Sequence, residues 1–153
     1  MIQRIQSLYL FLSIFFIALL LFFPYVTYVS NEGITYYLMH NGLFKKSESE
    51  LFPVYYNLSI TIFIAIVIAL NILAIFMYKN RPYQMKLNKI SIFVLFVIFG
   101  SLIIQLFRTK TSFVGFEIKI IFFVPLFSLI FVWLAYRAIK KDDELIRSID
   151  RIR

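Results

Sequence analysis

Cysteine is absent from these 153 residues, and a single histidine is present. The first absence excludes disulfides, thiolate metal sites, thiol redox chemistry and a lipid-modified cysteine anchor. The second argues against a metal, because a lone imidazole needs several carboxylates beside it and the sequence holds no such cluster. No cofactor is expected either. Acidic residues are scarce, eight against sixteen Lys and Arg, which leaves a formal charge of +8. Charged residues make up 16% of the chain and hydrophobic ones 61%, more apolar surface than a soluble fold of this length can bury. Lipid must therefore supply part of the solvent.

The apolar residues gather in four runs, at about 8–23, 58–77, 90–107 and 120–136. A helix rising about 1.5 Å per residue needs roughly 20 residues to cross a hydrocarbon core of about 30 Å, and an isolated segment in lipid must satisfy its own backbone hydrogen bonds. The expected fold is an all-α membrane protein, a four-helix transmembrane bundle in one domain. The first run ends in Phe22-Phe23-Pro24-Tyr25 with no small-x-small pair, so it reads as a retained span rather than a cleaved signal.

Basic residues flank these runs instead of gathering on a soluble face with stacking aromatics, which argues against nucleic acid. Eleven of the sixteen lie at the amino end, in the second connection and in the tail, and five lie in the first and third connections. By the positive-inside rule both termini are cytoplasmic. Aromatic belts agree: Tyr25, Tyr28, Tyr55 and Tyr56 fall at the outer surface, and Tyr78, Tyr83, Trp133 and Tyr136 at the inner one.

The outer connection, residues 26–57, is patterned. Val26 to Val29 and Ile34 to Met39 read as strands around an Asn31-Glu32-Gly33 turn, a β-hairpin, and Asn41-Gly42 signals a turn into a short third strand from Leu43 to Lys46. Ser47 to Glu50 reads as solvated. A ribbon this small is marginal in water, so it should rest on the helix ends or on another protein. A structural cap and a recognition surface are both compatible with it. His40 reads as a turn residue.

None of the four runs contains Asp, Glu, Lys, Arg or His. That counts against proton coupling, intramembrane proteolysis and voltage sensing, all of which need ionisable groups at depth. The polar residues that remain suit interhelical packing. Asn71 and Ser13 fall at matching depths on antiparallel neighbours and can share a hydrogen bond, while Ser101 and Ser128 lie near mid-depth on consecutive helices, where small side chains permit close approach. Gln105 lies too near the outer end to join them. Pro125 is expected to bend the outer half of the fourth helix.

At the inner surface the second connection carries Lys79, Arg81, Lys86 and Lys89 and no acid, a match for anionic headgroups. The tail, residues 137–153, continues helical spacing out of the fourth span, with Ile139, Leu145 or Ile146, Ile149 and Ile152 on one stripe. Its bases Arg137, Lys140, Lys141, Arg147, Arg151 and Arg153 alternate with Asp142, Asp143, Glu144 and Asp150, and Asp143 with Arg147 makes a favourable pair. Such an amphipathic helix suits contact with lipid headgroups or with a partner protein.

The opening Met1-Ile-Gln-Arg-Ile-Gln-Ser-Leu-Tyr-Leu10, the Phe23-Pro24 pair and the closing Arg137-Ala-Ile-Lys-Lys-Asp-Asp-Glu-Leu-Ile-Arg-Ser-Ile-Asp-Arg-Ile-Arg153 resemble a Bacteroidota family of unknown function, numbered 4293. The resemblance covers the whole chain and implies a four-span inner-membrane protein. It brings no activity and no catalytic residue.

Small size, inert spans and a mixed-charge tail together suggest a non-enzymatic accessory subunit or assembly factor of a larger membrane complex, with protein export or envelope biogenesis as a natural setting. The alternative is an oligomeric channel or facilitator for an uncharged or lipid-like substrate, which requires Gln105, Asn71 and Ser128 to face one cavity. An enzyme at the outer surface would rest on Glu32, His40, Glu48 and Glu50.

Overall fold

The computed structural model describes residues 3–47, 50–78, 80–111 and 113–150. Four helices are long and apolar enough to cross a bilayer: α1 (Gln3–Phe22), α2 (Ser59–Phe76), α3 (Arg81–Lys110) and α4 (Val124–Asp150). They pack in ring order, each on its neighbours in sequence, with α4 closing onto α1. Through the middle, Leu10, Ile17, Ile64, Val67, Leu95, Ile98 and Val132 are fully buried, while Phe11, Phe15, Phe93, Phe96 and Ile104 remain largely exposed around the outside. Exposed rings on a bundle's periphery are what lipid contact leaves.

The helices outrun the apolar runs. Arg81 to Lys89, read as a charged connection, forms the first turns of α3, because Asn80 caps the helix by accepting from the Tyr83 amide at 3.3 Å and Pro82 sits where its missing N–H costs nothing. At the other end a single-turn 3-10 helix (Ile120–Phe123) leads into α4. Pro125 is therefore the second residue of α4, not an interior one, and is tolerated there for the same reason as Pro82.

The fold is not all-α. At one end of the bundle stands a five-stranded antiparallel sheet: β1 (Val26–Val29), β2 (Thr35–Met39), β3 (Gly42–Ser47), β4 (Glu50–Tyr56) and β5 (Gly115–Ile118), in the order β4-β3-β2-β1-β5. The expected hairpin with a short third strand is thus the middle of a larger sheet. A fourth strand follows where only loop was expected, and the third connection supplies a fifth, paired to β1 with Val26 opposite Ile118 and Tyr28 opposite Phe116.

One face of this sheet joins the core. Val26, Tyr28, Leu38 and Leu43 alternate onto it and are buried, and the last turns of α3 support it, with the Tyr28 hydroxyl donating to the Leu106 carbonyl at 3.2 Å and Tyr28 stacked on Phe113. The β2–β3 turn is His40-Asn41, and Gly42 already lies in β3. A side chain there is excluded: its φ is +144°, and an added Cβ would stand 2.1 Å from the Tyr55 carbonyl oxygen of β4.

Candidate functional site

Three places carry chemistry: a cavity between sheet and α3, a polar layer inside the bundle, and a basic aromatic surface on α4.

The cavity, about 560 Å³, opens beneath β3 and β4 where the sheet overhangs the end of α3. Helical spacing brings Gln105, Arg108 and Thr109 onto one face of α3, at i, i+3 and i+4, and all three line it. Tyr55 and Asn57 add polar groups from the sheet side, and Leu43, Val54, Tyr56 and Phe113 form its apolar walls. The Tyr25 hydroxyl donates to the Gln105 Oε1, which leaves that amide its nitrogen donor. Thr109 Oγ1 and the Tyr55 hydroxyl lie 3.5 Å apart. Burial pushes the Tyr28 hydroxyl up to about 12 despite an opposing hydrogen bond from Thr109, so it stays protonated at neutral pH.

Inside the bundle, Asn71 Nδ2 donates to Ser13 Oγ at 3.0 Å, Ser13 Oγ and Ser128 Oγ are 2.7 Å apart, and Ser128 Oγ donates to the Ser13 carbonyl at 3.1 Å. Proton counting fixes the direction. Ser128 spends its single proton on the carbonyl, so Ser13 donates to Ser128 and accepts from Asn71. Three helices are joined through one hydroxyl. Gln84, Asn88 and Ser91 continue the polar lining along the inward face of α3, all buried; Gln84 donates to the Ala74 carbonyl at 3.0 Å, while Ser91 Oγ and both amide atoms of Asn88 have no protein partner among the described residues.

A family profile matches residues 2–152, nearly the whole chain. The chain belongs to DUF4293, a domain of unknown function. No curated protein and no solved structure matches it.

Of the residues singled out in the DUF4293 chain for packing, the structure brings Ser13, Asn71 and Ser128 together. Ser101 stands apart, its hydroxyl donating back to the Val97 carbonyl of its own helix at 2.8 Å. Gln105 is at the sheet end, so Asn71, Ser128 and Gln105 do not share a cavity. On α3, Lys86 and Lys89 are exposed and Arg81 is half-buried. On α4, Arg137 lies 4.7 Å from the Trp133 ring, and Arg137, Lys140, Lys141 and Glu144 line a shallow hollow with Tyr136, Lys140 pairing with Glu144 at 3.7 Å. Lys79, Arg151 and Arg153, with the side chain of Arg147, lie outside the described residues.

The tail departs from its expected stripe. Ile139 is buried but Leu145 and Ile146 are 48% and 42% exposed, whereas Asp142, one of the tail's charged residues, is buried and accepts from Gln6 of α1. The acidic and imidazole groups of the outer connection do not converge. Glu32 is in the β1–β2 turn and His40 at the opposite end of β2, while Glu50 opens β4; Glu48 lies outside the described residues. Among the described residues no three His, Cys, Asp or Glu side chains gather as a metal site.

Sequence reasoning missed the cavity. The i, i+3, i+4 spacing of Gln105, Arg108 and Thr109 is the one signal the sequence holds for it.

Proposed function

We propose that this chain is a non-catalytic, multi-pass subunit or assembly factor of a larger complex in a bacterial inner membrane, with both termini cytoplasmic and the sheet on the outer side. The observation that carries this reading is β4. It is the edge of the sheet, every residue from Glu50 to Tyr56 is exposed, and five of the seven are large and apolar or aromatic: Leu51, Phe52, Val54, Tyr55 and Tyr56. Open edges of this length and character invite a further strand, and proteins that have no partner for them blunt them with charge, brevity or a covering element. The opposite edge illustrates that contrast, for β5 is four residues long and includes Glu117. Pro53 removes one N–H from the β4 edge, so an added strand would register on either side of it.

Leu145 and Ile146 add a second apolar surface on the tail, with Lys140, Lys141 and Glu144 close by. Inert spans fit the same role. At depth, Ser13, Asn71 and Ser128 are joined in hydrogen bonds between helices, which hold a bundle rather than move an ion.

Purification from mild detergent at native expression tests the reading. A membrane protein recovered in constant ratio with this chain supports it; recovery of the chain alone overturns it.

A further inference from the structure

The cavity beneath β3 and β4 has a polar lining of one kind. Arg108, the Gln105 amide, Asn57 and the hydroxyls of Thr109 and Tyr55 supply donors and one full positive charge, and no Asp or Glu is among its lining residues. The Lys110 ammonium, two residues on, is engaged 4.6 Å over the Phe116 ring, so Arg108 is the cation the cavity itself holds. The remaining walls are apolar, and Ile104 and Phe107 on the same turns of α3 are each 64% exposed. A compact anion therefore has a place at the guanidinium, with an apolar surface adjoining it for hydrocarbon. About 560 Å³ falls within the range of small-molecule sites and exceeds what a bare phosphate would fill.

We propose that this cavity binds the headgroup of an anionic phospholipid, with Arg108 forking onto the phosphate, the Gln105 amide nitrogen donating to the same group, and the acyl chains lying along Ile104 and Phe107. Guanidinium is suited to phosphate because its planar fork donates two parallel hydrogen bonds and it sheds its hydration more readily than an ammonium. The cavity lies at the sheet end of α3, where the apolar band of the bundle meets the sheet, so a lipid can reach it sideways without leaving its leaflet. This inference rests on the reading of the helices as membrane spans, and not on any partner at β4.

The test is native mass spectrometry of the full chain released from detergent, titrated with phosphatidylglycerol, with phosphatidylethanolamine of the same acyl chains, and with inorganic phosphate. One phosphatidylglycerol per chain is expected, preferred over phosphatidylethanolamine by roughly tenfold: both lipids offer the phosphate, but the second adds an ammonium that Arg108 repels and no acidic lining residue pairs. Arg108→Gln abolishes that preference, Lys110→Gln preserves it, and Val54→Trp, which fills the apolar wall from an exposed position, lowers binding of both lipids without lowering the melting temperature. Equal binding of the two lipids, or equal losses in Arg108→Gln and Lys110→Gln, overturns the proposal. Displacement of the lipid by inorganic phosphate overturns it too, since the site is then one for a free anion. Carbonate extraction of membranes separates the two levels: a chain that stays with the membrane yet shows no lipid preference sinks this inference alone, and a chain that carbonate strips sinks the span reading beneath it.

Discussion

The Ser13 hydroxyl joins α1 to α2 and α4 with one oxygen, accepting from Asn71 and donating to Ser128. In Ser13→Ala both bonds go, and the Asn71 amide is left buried with its donor unmet. Interhelical hydrogen bonds in membranes contribute about 0.6 to 1.7 kcal/mol each, so a loss of roughly 1–2 kcal/mol is expected, measured by unfolding in mixed SDS micelles. A neutral result would mean the layer is not structural. His40 is a second residue whose effect can be given a sign. Burial lowers its pKa below the usual 6.5, with a hydrogen bond to the Leu20 backbone opposing, and its Nδ1 has no partner among the described residues. The unfolded chain then takes up the proton more readily than the folded one. Stability is accordingly full above about pH 6.5 and falls as pH drops below it, until the folded imidazole also protonates. His40→Phe is expected to flatten the melting temperature between pH 7 and pH 5.5, after allowance for the other groups that titrate there.

At the scale of elements, the four apolar helices were legible because 3.6-residue periodicity matters little when a segment is apolar all round, so length and hydropathy suffice, and the charged tail was legible because its helical spacing continues out of the fourth run. The matching depth of Ser13 and Asn71 was legible for a related reason, since antiparallel neighbours of known length fix depth. The sheet was half legible. β1 and β2 announce themselves by β-branched and aromatic residues around a turn, but β4 shows no alternation, because both of its faces are exposed, and Pro53 argues against a strand in its middle. β5 is four residues, separated from its partner β1 by three strands and two helices in sequence, and nothing local marks such a pairing. Buried Gln84 and Asn88 were hidden for a different reason: Lys86 and Lys89, on the opposite face of the same turns, made the stretch look like solvated loop. Pro125 was misplaced because the apolar run begins with the 3-10 turn rather than with α4. Its placement is testable. Pro125→Ala should change stability by no more than about 1 kcal/mol, as expected of a first-turn proline, whereas a gain of about 3 kcal/mol would mark a helix interior.

Taken whole, the molecule is a closed ring of four helices with a sheet at one end and both terminal segments at the other. The proposed orientation, with the sheet on the outer side, rests on the asymmetry of Lys and Arg, and the absence of native cysteine makes it easy to check. A cysteine placed at Glu32, in the β1–β2 turn, should react with a membrane-impermeant maleimide in intact spheroplasts, and one placed at Lys140, on α4, only after the membrane is opened. The reverse pattern would invert the protein and move the cavity and β4 into the cytoplasm.

The central claim is that the open edge of the sheet meets a partner, and a photo-crosslinking amino acid at Phe52 in living cells tests it most directly. A discrete adduct with one membrane protein is expected from position 52 on β4, and none from position 117 on β5. No protein adduct from position 52, or the same adducts from both positions, would contradict the account.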